Sequence, residues 1–297
     1  MLAAALSLWG APGVATATVP PPPPTIAAAG DIACDPGDPS FAWGAGTATK
    51  CRMAATSNLL VSLGPDAVLP LGDTQYDKAA AAAYGSSYRP TWGRLDAIAH
   101  PVPGNHEYQA NPAGYFSYFG AAAGSAPGWY SWDLGGWHLV ALNSNCGAIG
   151  GCGPGSPEEQ WLRADLSAHP AACTLAYWHH ARFSSSRNGD NTNVAPLYQA
   201  LYDAGADVVL TAHNHHYERF GPLDPTGRSD TARGLRQFVV GTGGKNVEAF
   251  KTVHAGSEVR SKTFGVLGLT LRPGGYDWRF HAVAGSTFSD AGSGTCH

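Results

Sequence analysis

The chain has 297 residues, 44% of them apolar, enough to bury a core in one large domain or two small ones. Only 13% are charged and the net charge is -4, so no basic surface marks a nucleic-acid or anionic-membrane partner. The 38 glycines and 22 prolines point to long, ordered loops.

Met1 to Trp9 is apolar, and Ala15-Thr16-Ala17 has the small-x-small pattern of a processing site. Residues 1–17 therefore read as a signal peptide. The stretch is too short to span a membrane, and the missing basic flank is consistent with a start downstream of the full leader. Residues 18–24 read as a Pro-rich spacer, extended by Pro20 to Pro24. No linker divides residues 25–297, which are expected to form a single domain. Export fits the cysteine count of 6. Cys146 and Cys152 flank a Gly-rich stretch and are expected to pair locally. Cys34 with Cys51 and Cys173 with Cys296 complete the set, with no sequence argument for that choice over its alternatives. No Cys-x-x-Cys occurs, which disfavours a thiolate zinc site.

In chain order, several short apolar runs each end on a polar cluster. Thr25 to Ala29 leads to Gly30-Asp31-Ile32-Ala33, and Asp66 to Leu71 leads to Gly72-Asp73-Thr74-Gln75-Tyr76. Pro101 to Pro103 precedes Gly104-Asn105-His106-Glu107, Thr174 to Trp178 precedes His179-His180, and Asp207 to Ala212 precedes His213-Asn214-His215. Such runs predict buried strands, and α/β sheets bind ligands beyond the carboxyl ends of their strands. Helices are predicted between them. Ala54 to Leu63 carries Leu59, Leu60 and Leu63 on one side. Ser156-Pro157-Glu158-Glu159 has a capping residue, a proline at the first position and a glutamate three on, and leads into Trp161, Leu162 and Leu166. Ala195 to Ala204 stops at Gly205. Two hairpins are predicted, Trp129–Leu134 with Trp137–Leu142 and Gly265–Leu271 with Tyr276–Val283. This alternation of strands, helices and hairpins implies an α/β (α+β) fold with mixed sheets and helices outside.

Singly, each polar cluster reads as a turn, a cap or an ordinary surface histidine. Together they supply two carboxylates, a phenol, an amide and three imidazoles, a set able to hold two cations. Asp73 is the candidate bridge. Tyr76, three residues on, returns to the same site, and a phenolate donor favours a trivalent cation such as ferric iron. Asn105 offers an amide oxygen, and His179, His213 and His215 offer ring nitrogens. If His213 to His215 is extended, its two histidines point the same way.

These segments, in this order from about Ala29 to Arg219, resemble the calcineurin-like metallophosphoesterases and, through Tyr76, their purple acid phosphatase branch. His216-Tyr217-Glu218-Arg219 also resembles the family. The resemblance implies a four-layer α/β/β/α sandwich of two mixed sheets flanked by helices, with the metal site at the carboxyl ends of strands. It implies Fe(3+) held by Asp31, Asp73, Tyr76 and His215. A divalent Fe, Zn or Mn would be held by Asp73, Asn105, His179 and His213. His106 would bind phosphate or protonate the leaving group, and His180 would be a further substrate contact. Ala33 and Ala212 stand where the family has glycine, which costs little unless φ is positive there. Arg182 is expected at the surface rather than at the substrate, and His138, His169, His254 and His281 are expected to be structural.

The implied function is a secreted dinuclear phosphatase in which a metal-bound hydroxide attacks a small phosphate monoester. A phosphodiesterase or nucleotidase of the same fold is the alternative. An exported, non-catalytic iron- or phosphate-binding protein is a third reading. No nucleic-acid or membrane partner is expected.

Overall fold

The computed structural model describes residues 21–109 and 111–297. The expected signal peptide and the first part of the expected spacer lie outside the described residues. The described chain opens with β1 (Thr25–Ala29), α1 (Met53–Leu63) and β2 (Ala67–Pro70). Short helices follow: α2 (Ala81–Ala83), α3 (Asn105–Tyr108) and α4 (Ala113–Phe119). The middle of the chain builds β3 (Tyr130–Leu134), β4 (Trp137–Ala141), α5 (Pro157–Ala168), β5 (Cys173–His180), α6 (Ala195–Asp203) and β6 (Val208–Ala212). The remainder is strand: β7 (Tyr217–Leu223), β8 (Leu235–Val240), β9 (Ser257–Ser261), β10 (Gly265–Arg272), β11 (Gly275–Ala282) and β12 (Asp290–Thr295).

One sheet has the order β12-β11-β10-β1-β2 and the other β3-β4-β5-β6-β8-β7-β9. Both are mixed: β1 and β2 run parallel, as do β4, β5, β6 and β8, and the other neighbours are antiparallel. Alternation along the central strands separates two cores. Val140, Ala176, Val209 and Val239 face Leu162 of α5 and Leu197 and Leu201 of α6. Their neighbours Leu139, Leu175, Leu210 and Phe238 share the other core with Ala28, Leu267 and Leu269 of the five-stranded sheet, and Leu60 of α1 joins it. Two mixed sheets flanked by helices are thus what the sequence led us to expect.

The helix signals act as anticipated. Ser156 Oγ accepts from Glu159 N at 3.4 Å and Pro157 begins α5. Both predicted hairpins form, with Leu134 opposite Trp137 and Arg272 opposite Gly275. The disulfides pair Cys34 with Cys51, Cys146 with Cys152 and Cys173 with Cys296. Two expectations need correction. Pro101-Val102-Pro103 forms no strand, only a single bridge from Val102 to Leu71, because its prolines cannot donate to a ladder. His213 to His216 is not extended; it folds through tight turns in which Asn214 N donates to Ala212 O and His216 N to Asn214 O.

Candidate metal centre

β1, β2, β5 and β6 are adjacent or facing strands, and their carboxyl ends deliver four of the five polar clusters to one place. Asp31 and Asp73 follow β1 and β2, His179 ends β5, and His213 follows β6. The fifth cluster starts α3, whose Gly104 lies against Asp73 so closely that any side chain at 104 would collide with it. Gly30 is similarly confined: a Cβ there would lie 2.5 Å from the Ala212 methyl. The alanines at 33 and 212 carry no positive φ; that strain falls instead on Asp31 (φ 58), Asp73 (φ 47) and His213 (φ 65). Non-glycine residues adopt this conformation at a cost of about 1–3 kcal/mol, and such strain concentrates at functional sites.

The Tyr76 hydroxyl sits at the focus of one donor group. It lies 2.8 Å from Asp31 Oδ1, 2.9 Å from Asp73 Oδ2 and 3.1 Å from His215 Nε2. Asp73 Oδ2 also faces the second group, 3.3 Å from His179 Nε2, which in turn lies 3.2 Å from Asn105 Oδ1. Asp73 therefore stands between the two groups. The His213 ring packs 5.1 Å from that of His179 and 4.5 Å from that of His180. Every residue singled out from sequence reaches this locus. Arg182 is the expected exception and does not reach it, but neither does it lie at the surface: it is buried, because its guanidinium donates to Pro225 O and covers the Phe183 ring.

The electrostatics suit cations. Burial works against ionising Asp73, but the His179 and His106 rings beside it outweigh burial and hold its pKa far below the usual carboxylate range. Asp31 is likewise lowered, against burial, chiefly by His215. Burial lowers and the carboxylates raise the rings of His179 and His215, the net being about 9 for each. Burial and His179 push His213 down to about 4, and burial holds His180 well below its ordinary value. Burial, then Asp31 and Asp73, raises the Tyr76 phenol well above 10, so only a strongly Lewis-acidic cation would take its proton's place. Two buried carboxylates, a phenol, an amide oxygen and three imidazoles form a donor set that fits hard and borderline metal ions.

Sequence reasoning gave no role to the residues that hold this set in place. The buried Glu107 carboxylate accepts from Asp73 N and Thr74 N, both at 2.9 Å, and from Gly104 N at 2.6 Å, tying two polar clusters together. Its position three residues after Gly104 was the available signal. Glu218 does the same on the other side, accepting from Ser185 N at 2.9 Å and contacting His216 Nε2 at 3.2 Å. Asn246 Oδ1 fixes His215 through Nδ1 at 2.9 Å, and Leu71 O fixes His179 through Nδ1 at 2.8 Å. Ser144 Oγ meets His180 Nδ1 at 2.8 Å, and Asn188 Nδ2 lies 3.4 Å from His213 Nε2. The His106 backbone donates to Asp73 Oδ1 at 2.8 Å, while its ring lies over Tyr76, partly exposed.

Comparison with known proteins accords with this geometry. The sequence model of the family described as calcineurin-like phosphoesterase matches residues 24–217. Purple acid phosphatase 15 of Arabidopsis thaliana is 27% identical over 67% of this chain and 44% of its own length. Acid phosphatase type 7 of Homo sapiens is 28% identical over 53% of this chain and 41% of its own. The chain thus spans about two-fifths of the length of these curated relatives. A purple acid phosphatase from yellow lupin (Lupinus luteus) seeds superposes with a TM-score of 0.70, at 16% identity, over 92% of this chain and 53% of that one. GAP50, described as the anchor in the inner membrane complex of Plasmodium, superposes with a TM-score of 0.63, at 12% identity, over 93% of this chain and 90% of that one. The likeness to these structures is one of fold. The sequence match covers all five polar clusters and the strands that present them, and on it the chain belongs to the calcineurin-like phosphoesterase family, with purple acid phosphatases among the proteins it is similar to.

Proposed function

We propose that this chain is an exported dinuclear metal-dependent phosphatase acting on small phosphate monoesters. The observation that carries the proposal is the position of Asp73 Oδ2, shared between the Asp31–Tyr76–His215 group and the His179–Asn105 group. Asp31, Asp73, Tyr76 and His215 would hold ferric iron, and Asp73, Asn105, His179 and His213 a divalent Fe, Zn or Mn. When bound by these residues, a metal pair would supply Lewis acidity that lowers the pKa of water and offsets the charge of a phosphoryl group in transfer.

The protein's own part is positioning and proton handling. Asp73 keeps its anionic form for the bridge because His179 and His106 stabilise it against burial. Leu71 O and Asn246 fix the ring orientations of His179 and His215. The His106 ring, at the exposed edge of the cluster and fixed through Nδ1 by Asp77 O at 2.5 Å, would leave Nε2 to meet the leaving group as general acid. His180, set by Ser144, would contact substrate. Export is supported by three disulfides. Among the described residues no helix is long and apolar enough to cross a membrane.

The test is phosphate release by the purified protein from an aryl monoester and an aryl diester, with bound metals counted, in parallel with Asp73→Asn. Monoester turnover with about two metals per chain, lost in the variant, is the expected result. Preference for the diester would replace the substrate assignment. Full activity of Asp73→Asn would remove the dinuclear reading.

A further inference from the structure

A second cluster of metal-ligating side chains lies away from this centre, where β3 and β4 meet α5. His138 is the second residue of β4, near the amino end of a strand whose parallel neighbour β5 carries His179 at its carboxyl end. It is buried to 1% exposure, and both of its ring nitrogens face carboxylates. Nδ1 lies 2.8 Å from Asp133 Oδ1 and Nε2 lies 2.9 Å from Asp165 Oδ2. The other oxygen of Asp165 lies 3.2 Å from His169 Nδ1 and accepts from Ser131 Oγ at 2.8 Å. The His138 and His169 rings are parallel within 17°, centroids 5.0 Å apart; His169 Nδ1 lies closest to the backbone carbonyl of Asp165, at 2.9 Å, to which it donates, so Nε2 is its nitrogen with a free lone pair. Ligand atoms of His138, Asp165 and His169 all lie within 4.8 Å of one another.

A neutral imidazole has one N–H and one lone pair. If Nδ1–H donates to Asp133, the Nε2 lone pair points at a buried carboxylate oxygen. Two lone pairs at 2.9 Å need either a proton between them, which is an ordinary hydrogen bond, or a metal ion bound to both atoms from one side of the line that joins them, because two bonds of about 2.0–2.2 Å do not fit along it. A carboxylate behind one nitrogen of a histidine whose other nitrogen faces ligand atoms is the arrangement proteins use to orient an imidazole toward zinc. A cavity of about 350 Å³ is lined by Asp133, Trp137, His169 and Pro170, and His169 is half exposed. Bonds to zinc are about 2.0–2.2 Å, so donors around it stand closer together than the widest spacing here. His169 can close the gap by rotating, as an exposed side chain can.

We propose that His138, Asp165 and His169 form a second, solvent-facing site for one divalent cation of the zinc class, with Asp133 holding His138 from behind. A nitrogen-nitrogen-carboxylate set selects borderline cations over calcium or magnesium, and the fourth position would be open to water or to an external ligand.

The experiment is equilibrium dialysis of the whole protein, its family centre already loaded, against micromolar zinc or cobalt. One further cation per chain is expected beyond those of the centre, together with a rise in Tm. With cobalt, visible bands of a low-coordinate nitrogen–oxygen site should appear. His169→Gln is the informative variant, because the side chain is half exposed and its loss should not prevent folding; it should abolish the extra equivalent and the cobalt bands. Asp133→Asn should weaken binding about tenfold or more. Asp73→Asn should leave the extra equivalent intact. The proposal is overturned if wild type takes up no further cation, or if the uptake and bands persist in His169→Gln. His138 would then be a doubly hydrogen-bonded ring that bolts α5 to the β3–β4 hairpin.

Discussion

The two sides of the seven-stranded sheet's framework obey different rules. Between this sheet and α5 and α6 the contacts are mainly apolar, from Leu162, Leu197, Leu201, Val209 and Val239, all fully buried, alongside the polar His138–Asp165 pair that joins β4 to α5. At the carboxyl ends of β1, β2 and β6 the chain instead places Asp31, Asp73 and His213 in left-handed backbone conformations and buries carboxylates beside one another. The first region stabilises the fold, and the second is stabilised by it. Strained, charged loops persist where the surrounding structure over-determines them. Here that determination comes from Glu107 and Glu218, each gathering several donors of neighbouring loops onto one buried carboxylate.

Substitutions should therefore separate activity from stability. The largest effect is expected for Asp73→Asn, a loss of activity on the order of a thousandfold with loss of bound metal and little change in the unfolding midpoint of metal-free protein. Phosphate release and metal content measure the first two, and urea unfolding the third. Leu197→Ala should invert the pattern. It should cost about 2–5 kcal/mol of stability through the cavity it opens beneath α6, with kcat nearly unchanged at 25 °C. Glu107→Gln should do both in smaller measure. Gln keeps an acceptor oxygen but places an amide group where a second oxygen accepted backbone N–H bonds. About 1–3 kcal/mol of stability and at least tenfold in activity should go together. If Glu107→Gln loses stability and keeps full activity, the link between the two polar clusters is only structural.

Glu158 is another buried charged side chain in this region, at the amino end of α5. Burial raises its pKa to about 8 from 4.5, with the bond from Asn143 N acting the other way. The folded state thus disfavours the anion. The penalty is absent below about pH 4.5, grows as pH rises toward 8, and is constant beyond. The amino end of α5 favours negative charge and trims the effect to about 1–2 kcal/mol at neutral pH. Glu158→Gln should remove this dependence, so its stability relative to wild type should rise between pH 5 and 8. A parallel pair of stability–pH curves would show that Glu158 does not carry the penalty.

How much of this was legible in the sequence follows the same division. The strands that reach the centre announce themselves as apolar runs ending on Gly-Asp or His, which made Asp31, Asp73, His179 and His213 readable at strand ends; Tyr76, Asn105 and His215 lie in the segments beyond them and were readable only as donor types close in sequence to those runs. The alanines at 33 and 212 looked like departures, yet the demanding backbone angles fall on Asp31 and His213, which no glycine rule would flag. β12, Asp-Ala-Gly-Ser-Gly-Thr, has no apolar alternation; it is an edge strand held by β11 and by the neighbouring Cys296 disulfide, so pattern could not find it. Asn246 could not be found either, because a side chain that orients His215 from 31 positions away leaves no local mark. His138 and His169 read as isolated histidines until the β3–β4 hairpin and α5 brought Asp133 and Asp165 to them.

The smallest predicted effect discriminates best between the two regions. His213 has φ 65 and a ring that packs on His179 and His180. His213→Gly should remove one candidate ligand and with it most activity. Yet glycine adopts that backbone angle freely, so the metal-free protein should not lose stability. A gain of about 0.5–1 kcal/mol is expected once glycine's extra freedom in the unfolded chain is subtracted. Urea unfolding of chelator-treated wild type and variant measures it. If the variant is instead less stable, the ring contacts outweigh the backbone strain, and the metal-centre end contributes to the stability of the fold as the apolar core does. If it is more stable and inactive, the left-handed turn after β6 exists to aim a histidine at the centre, at a cost that the rest of the domain absorbs.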